Sequence, residues 1–153
     1  MIIMKCKILL TKDSVLSLSL ETYQEVCEKI LPIDKNNLDD EMVNHAVVYA
    51  HYHGLLIYVE RMIDRLTVSF DQYKAVTKNQ EMERSRSEGT KATVTYLEDF
   101  VISQEDYKTK QEEIFELNEI FGWLKAITTA LEQKKDMLIQ ISANHRSETK
   151  MYN

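Results

Sequence analysis

The sequence predicts an all-α protein built on a long antiparallel helical hairpin with a short connecting helix. Three observations predict it. Glycine and proline are scarce, 3 and 1 in 153 residues. Sheet-containing folds need such residues at their turns, so the composition favours few, long helices. His45, Tyr49, Tyr52, Leu56, Val59, Ile63, Leu66, Phe70, Tyr73 and Thr77 alternate four and three residues apart, as a heptad seam does. The stretch Gln111 to Arg146 carries two further apolar stripes at helical spacing. One is Ile114, Leu117, Phe121, Leu124, Thr128, Leu131 and Leu138; the other is Ile120, Leu124, Ile127, Leu131, Leu138 and Ile141.

Faces this wide cannot be buried by one helix alone, so each needs partner helices from its own chain or from other copies. The expectation is a homo-oligomer, with Tyr49, Leu56, Ile63, Phe70, Leu124, Leu131 and Leu138 at its interface.

The elements follow in order. Residues 1–33 form an N-terminal segment, and residues 34–153 form the hairpin. Alternation of Val15, Ser17 and Ser19 with Leu16, Leu18 and Leu20 suits a short strand, as does the run Ile8 to Leu10. Ser19 can cap a helix Leu20–Leu31 that Pro32 ends. Asn37 can cap the first long helix, with Asp39, Asp40 and Glu41 in the turn where the helix dipole favours acids. Gly54 falls within its length, at about 1 kcal/mol against alanine, and leaves room for a neighbouring backbone.

The seam fades after Val76. Residues 78–90, KNQEMERSRSEGT, are polar and run into a loop at Ser87–Gly89. A short helix Lys91–Val101 follows, with Thr90 as its cap and Val94, Leu97, Phe100 and Val101 inward. Ser103 with Asp106 suggests a capping box opening the last long helix. That helix fades near Ser147.

Catalytic and metal chemistry leave no pattern in this sequence. Each glycine stands alone, so no phosphate-cradling loop forms. Cys6 and Cys27 are 21 apart and match no metal-ligand spacing. They read as buried free thiols of a reducing compartment. His51 and His53 point to different helical faces, and neither is four residues from His45 or His145. No nucleophile motif surrounds a serine. Neither an enzyme nor a resident metal or cofactor is expected. The apolar start MIIMKCKILL is broken by lysine and too short to span a bilayer. A cytoplasmic protein without membrane association is expected.

Charge is the remaining signal. The net charge of −6 opposes simple affinity for nucleic acid. Its distribution is uneven, because residues 74–91 hold five basic side chains against three acids, and residues 134–153 four against two. The basic candidates are Lys74, Lys78, Arg84, Arg86 and Lys91, then Lys134 and Lys135. Trp123, Tyr96 and Tyr107 lie near Lys91, Lys108 and Lys125 in sequence. Basic groups with aromatic platforms are what single-stranded nucleic acid requires. The plainer reading is that these aromatics belong to a core or interface. Lys134 and Lys135 stand where the apolar stripes would continue, and a lysine there can cover apolar surface with its stem.

The run WLKAITTALEQKKDMLIQISANHR, Trp123 to Arg146, resembles the C-terminal helix of phage recombination mediators of the UvsY-like family. The matching pattern is a Trp-led apolar segment, Ala130-Leu131, the basic pair Lys134-Lys135, and an apolar run. The stretch EGTKATVTYLEDFVISQEDYKTKQEE, Glu88 to Glu113, is similar to that family's connecting segment. The acidic start LDDEM fits more loosely, and the resemblance covers about residues 34–147. It implies a closed ring of helical hairpins in a bacterial host's cytoplasm. Such a ring binds single-stranded DNA coated by a single-strand-binding protein and helps load a RecA-like recombinase, with no reaction catalysed. The alternative is a structural or adaptor coiled-coil oligomer, such as a phage assembly factor, that binds no nucleic acid.

Overall fold

Four helices, and no strand, make up the described residues: α1 (Leu20–Ile30), α2 (Leu38–Ser87), α3 (Val94–Ile102) and α4 (Glu105–Met151). The structure is a computed structural model that describes residues 20–151, with side chains for 23–147. The strand expected near residues 8–20 lies outside the described residues, apart from Leu20, which opens α1. The chain is all-helical here, and its two long helices pack against each other as a hairpin. No helix among the described residues is long and apolar enough to cross a membrane.

α1 stops where Pro32 requires it to. The Leu31 amide still donates to the Cys27 carbonyl at 3.1 Å, and proline then removes the next donor. Asn37 flanks α2: its carbonyl accepts from the Glu41 amide at 3.0 Å, and its side chain donates to Asp40 Oδ2 at 2.8 Å.

Two compact units divide the long helices. The first holds the chain up to Val59 and from Ile120 onward. Its core is Val59, Leu124, Ile127, Leu131 and Leu138, all at most 1% exposed. The two long helices run in opposite senses there, since Met42 meets Ser142 while the Tyr49 hydroxyl donates to Glu132 at 3.0 Å. Both stripes expected on α4 are thus used within the chain.

The second unit spans Glu60–Glu119. Phe70 packs on Tyr107 with ring centres 5.0 Å apart, and Leu97, Val101 and Leu117 are buried. Of the residues expected at an oligomer interface, Phe70, Leu124, Leu131 and Leu138 are buried and Tyr49, Leu56 and Ile63 half-buried by the chain itself.

Local expectations are corrected at both ends of α3, whereas α2 runs to Ser87, where the sequence places the loop. Its seam simply turns polar: Glu81 and Ser85, four apart from Thr77 and from each other, are buried. It ends in a Schellman motif, with the Thr90 amide donating to Ser85 O at 2.9 Å and Gly89 to Arg86 O at 3.1 Å. Gly89 has φ 75, which glycine adopts without strain.

Thr90 is therefore occupied, and its hydroxyl also donates to Ser85 O. The cap of α3 is Thr93, whose side chain accepts from the Tyr96 amide. Starting three residues later leaves Val94 exposed at the first helical position, with only Leu97 and Val101 fully inward. Ser103 forms no capping box. It ends α3, its hydroxyl donating back to Phe100 O at 2.7 Å, so α4 begins at Glu105.

Burial on this pattern makes stability position-specific. Leu131→Ala removes a fully buried side chain and lowers unfolding free energy by about 2–5 kcal/mol. Gln140→Ala, on the exposed side of the same helix, changes it by no more than about 0.5 kcal/mol. Urea denaturation of the two variants measures the difference.

Candidate nucleic-acid interface

Five of the seven expected basic residues lie in the second unit, at the end of α2 and in the turn after it. A helix places residues three and four apart side by side, and acids occupy those positions. Lys74 contacts Asp71 at 2.6 Å. Arg84 contacts Glu88 at 3.1 Å and Glu81 at 3.5 Å. Lys78 reaches across to Glu98 of α3 at 3.0 Å. Arg86 and Lys91 are exposed and make no ion pair among the described residues.

The aromatic groups near these cations are not those the sequence suggested. The Lys74 ammonium sits 4.8 Å from the Phe70 ring centre, and Lys110 sits 5.5 Å from that of Tyr73. Sequence reasoning missed Lys110, although its position facing Tyr73 follows from the hairpin once the seam and stripe are aligned. Tyr107 is taken up by Phe70, and Lys108 pairs with Glu112 at 3.7 Å. Tyr96 is 46% exposed, but its hydroxyl donates to the buried Glu81 at 2.7 Å.

That bond and the desolvation around it raise the Tyr96 phenol above its ordinary value, while hydrogen bonding to Glu88 and the charge of Glu81 raise Arg84. A cavity of about 320 Å³ adjoins this group, lined by Tyr73, Gln80, Glu81, Arg84, Gln104 and Asp106. Two acids face one arginine across it, so it is no anion pocket. Among the described residues no cluster of His, Cys, Asp or Glu could hold a metal ion.

Lys134 and Lys135 belong to the first unit and have different surroundings. Lys135 is exposed, with Asp136 4.0 Å away. Lys134 is only 8% exposed. Its ammonium contacts Glu41 at 2.8 Å and donates to the carbonyls of Ile30 and Pro32, each at 2.9 Å. All three protons of the ammonium are thereby used. The residue joins the end of α1, the start of α2 and the middle of α4, and has no donor left for a phosphate.

His45 is buried beside this clasp, and its Nδ1 meets no hydrogen-bond partner among the described residues. Burial, then the charges of Lys134 and Lys135, hold it below its ordinary value near 6.5; burial does the same for His51. The chain matches no protein-family model, no curated protein and no solved structure.

Two predictions come from this arrangement. Lys134→Ala strands the Glu41 carboxylate and two carbonyls, and lowers stability by about 2–3 kcal/mol. Glu41→Gln combined with Lys134→Met recovers at least half of that loss in urea titrations. The second concerns pH. A depressed histidine binds fewer protons folded than unfolded, so stability rises with pH through this range. Its contribution is present above about 6.5 and is lost as pH falls through the folded-state value. Unfolding free energy measured from about pH 7.5 to 5.5 declines, and His45→Gln flattens the decline. An unchanged slope in that variant would assign the effect elsewhere.

Proposed function

We propose that the protein is a recombination mediator of phage type. It binds single-stranded DNA and helps load a RecA-like recombinase onto strands coated by a single-strand-binding protein in a bacterial cytoplasm. The observation that carries this reading is the end of α2 and the turn after it, where Arg86 and Lys91 are exposed and make no ion pair among the described residues. Lys110 lies against the half-buried Tyr73 ring in the same unit, the pairing of cation and aromatic that base-stacking surfaces use. Lys135 adds an exposed cation on α4. Lys134 is left out of the contact set, because its donors are used. With so few free cations per chain, affinity comes from repetition around a homo-oligomer, in the closed ring that the resemblance implies.

The second reading, a structural or adaptor coiled-coil oligomer that binds no nucleic acid, has its own observation. Lys74, Lys78 and Arg84 are already ion-paired, and large apolar side chains on α2 stand exposed.

Fluorescence anisotropy with labelled single strands and duplex, at about 50 and 200 mM salt, separates the two readings. The mediator reading expects single-strand preference and a steep loss with salt. Arg86→Ala/Lys91→Ala then lowers the salt slope by about 1.4, the value for two lost phosphate contacts. Absence of binding at the lower salt selects the adaptor.

A further inference from the structure

The first five turns of α2 are apolar on two opposite sides. The seam side, from His45 to Val59, is covered by the chain. On the other side Val43, Val47, Ala50, Gly54 and Ile57 step four, three, four and three residues, which places them in one line along the helix. All five are exposed: Val43 and Val47 at 67%, Ile57 at 38%. No charged residue falls on this line between Asp39 and Arg61. A helix with one partner shows a polar outer face; here the centre of that face is apolar, and the polar side chains Asn44 and His53 lie beside it.

Gly54 gives a second reason to look outward. A Cβ built there meets nothing within 4 Å. Nothing among the described residues calls for glycine, and alanine would favour the helix by about 1 kcal/mol. Glycine at that point suits the close approach of a helix from another molecule.

Charge selects the partner. The line continues at one end in Asp39 and at the other in Arg61, and neither makes an ion pair among the described residues. With Ala46, which is also exposed, the positions 39, 43, 46, 50, 54, 57 and 61 are spaced symmetrically about Ala50, while Val47 at the flank reflects onto His53. Set antiparallel against its own copy, it places Val43 opposite Ile57, Ala46 opposite Gly54, Ala50 opposite Ala50, and Asp39 opposite Arg61. A parallel arrangement would set Asp39 against Asp39 and Arg61 against Arg61, and like charges so placed repel.

We propose that this face of α2 docks on the same face of a second copy, antiparallel, about a two-fold axis at Ala50. Each copy contributes Asp39 to one end and Arg61 to the other. The contact is isologous and closes at two copies, so a larger ring needs a second contact elsewhere. It uses none of the residues assigned to DNA and does not rest on that reading.

Sedimentation velocity without nucleic acid tests it, over about 1–100 μM protein. The expected result is a concentration-dependent shift from 18.0 kDa towards twice that mass. Val47→Glu, at an exposed position, raises the half-dissociation concentration about tenfold or more, and so does Arg61→Asp. Asp39→Arg/Arg61→Asp restores the dimer, because the swapped charges again meet their opposites. With Cys6 and Cys27 changed to serine, Ala50→Cys forms a disulfide-linked dimer and Val43→Cys does not. A single-chain mass throughout overturns the proposal. So does an oligomer indifferent to Val47→Glu, or a Val43→Cys that links to itself as readily as Ala50→Cys. Each of these leaves the anisotropy result untouched.

Discussion

Each long helix carries an apolar stripe over most of its length, and that stripe must leave water along all of it. This constraint organises the molecule. A fully buried leucine contributes about 1.5–3 kcal/mol, and α4 alone buries Leu117, Leu124, Leu131 and Leu138. Pairing α2 with α4 satisfies both stripes at once. It also makes demands where a polar residue falls on a stripe. Glu81 receives the Tyr96 hydroxyl, and Lys134 receives Glu41 and two carbonyls. Only His45, kept neutral, goes without a partner for its Nδ1 among the described residues.

The sequence makes the stripes legible because apolar burial is periodic and additive. The seam residues His45 to Thr77 are all buried or half-buried, and the end of α1 falls within one residue of its expected place. What it hides is polar. The seam reads as fading in the last turns of α2 because Glu81 and Ser85 look like surface residues; both are buried, and Glu81 is met by Tyr96, fifteen residues away. Thr90 and Thr93 are equally good caps in isolation. The Schellman bonds that engage Thr90 decide between them, and those depend on Gly89. Ser103 was ambiguous for the same reason, since a hydroxyl can close one helix or open the next.

The candidate site was legible as composition and not as charge. Counting basic residues over 74–91 gives a positive segment. Helical geometry then sets Asp71 beside Lys74 and Glu88 beside Arg84, and the hairpin brings Glu98 to Lys78. Exposed pairs of this kind add little stability, about 0–1 kcal/mol each, yet they remove most of the field a phosphate backbone would feel. The Lys134-Lys135 pair shows the limit more sharply. Two identical neighbours in sequence face opposite environments, because a helix turns about 100° between them.

The turn at Gly89 has a bearing on how the chain finds this arrangement. Contacts next to it join residues close in sequence: Glu81 with Tyr96 spans 15 positions and Lys78 with Glu98 spans 20. Far from it, Tyr49 with Glu132 spans 83, and Lys134 with Ile30 spans 104. Closing the longest of these from an open chain costs roughly 2 kcal/mol more entropy than closing the shortest. Once the inner contacts hold, each further pair closes only a small additional loop. The hairpin thus has one cheap starting point, and the left-handed residue at its reversal sets the register in which the pairs nearest to it, Glu81 with Tyr96 and Lys78 with Glu98, meet.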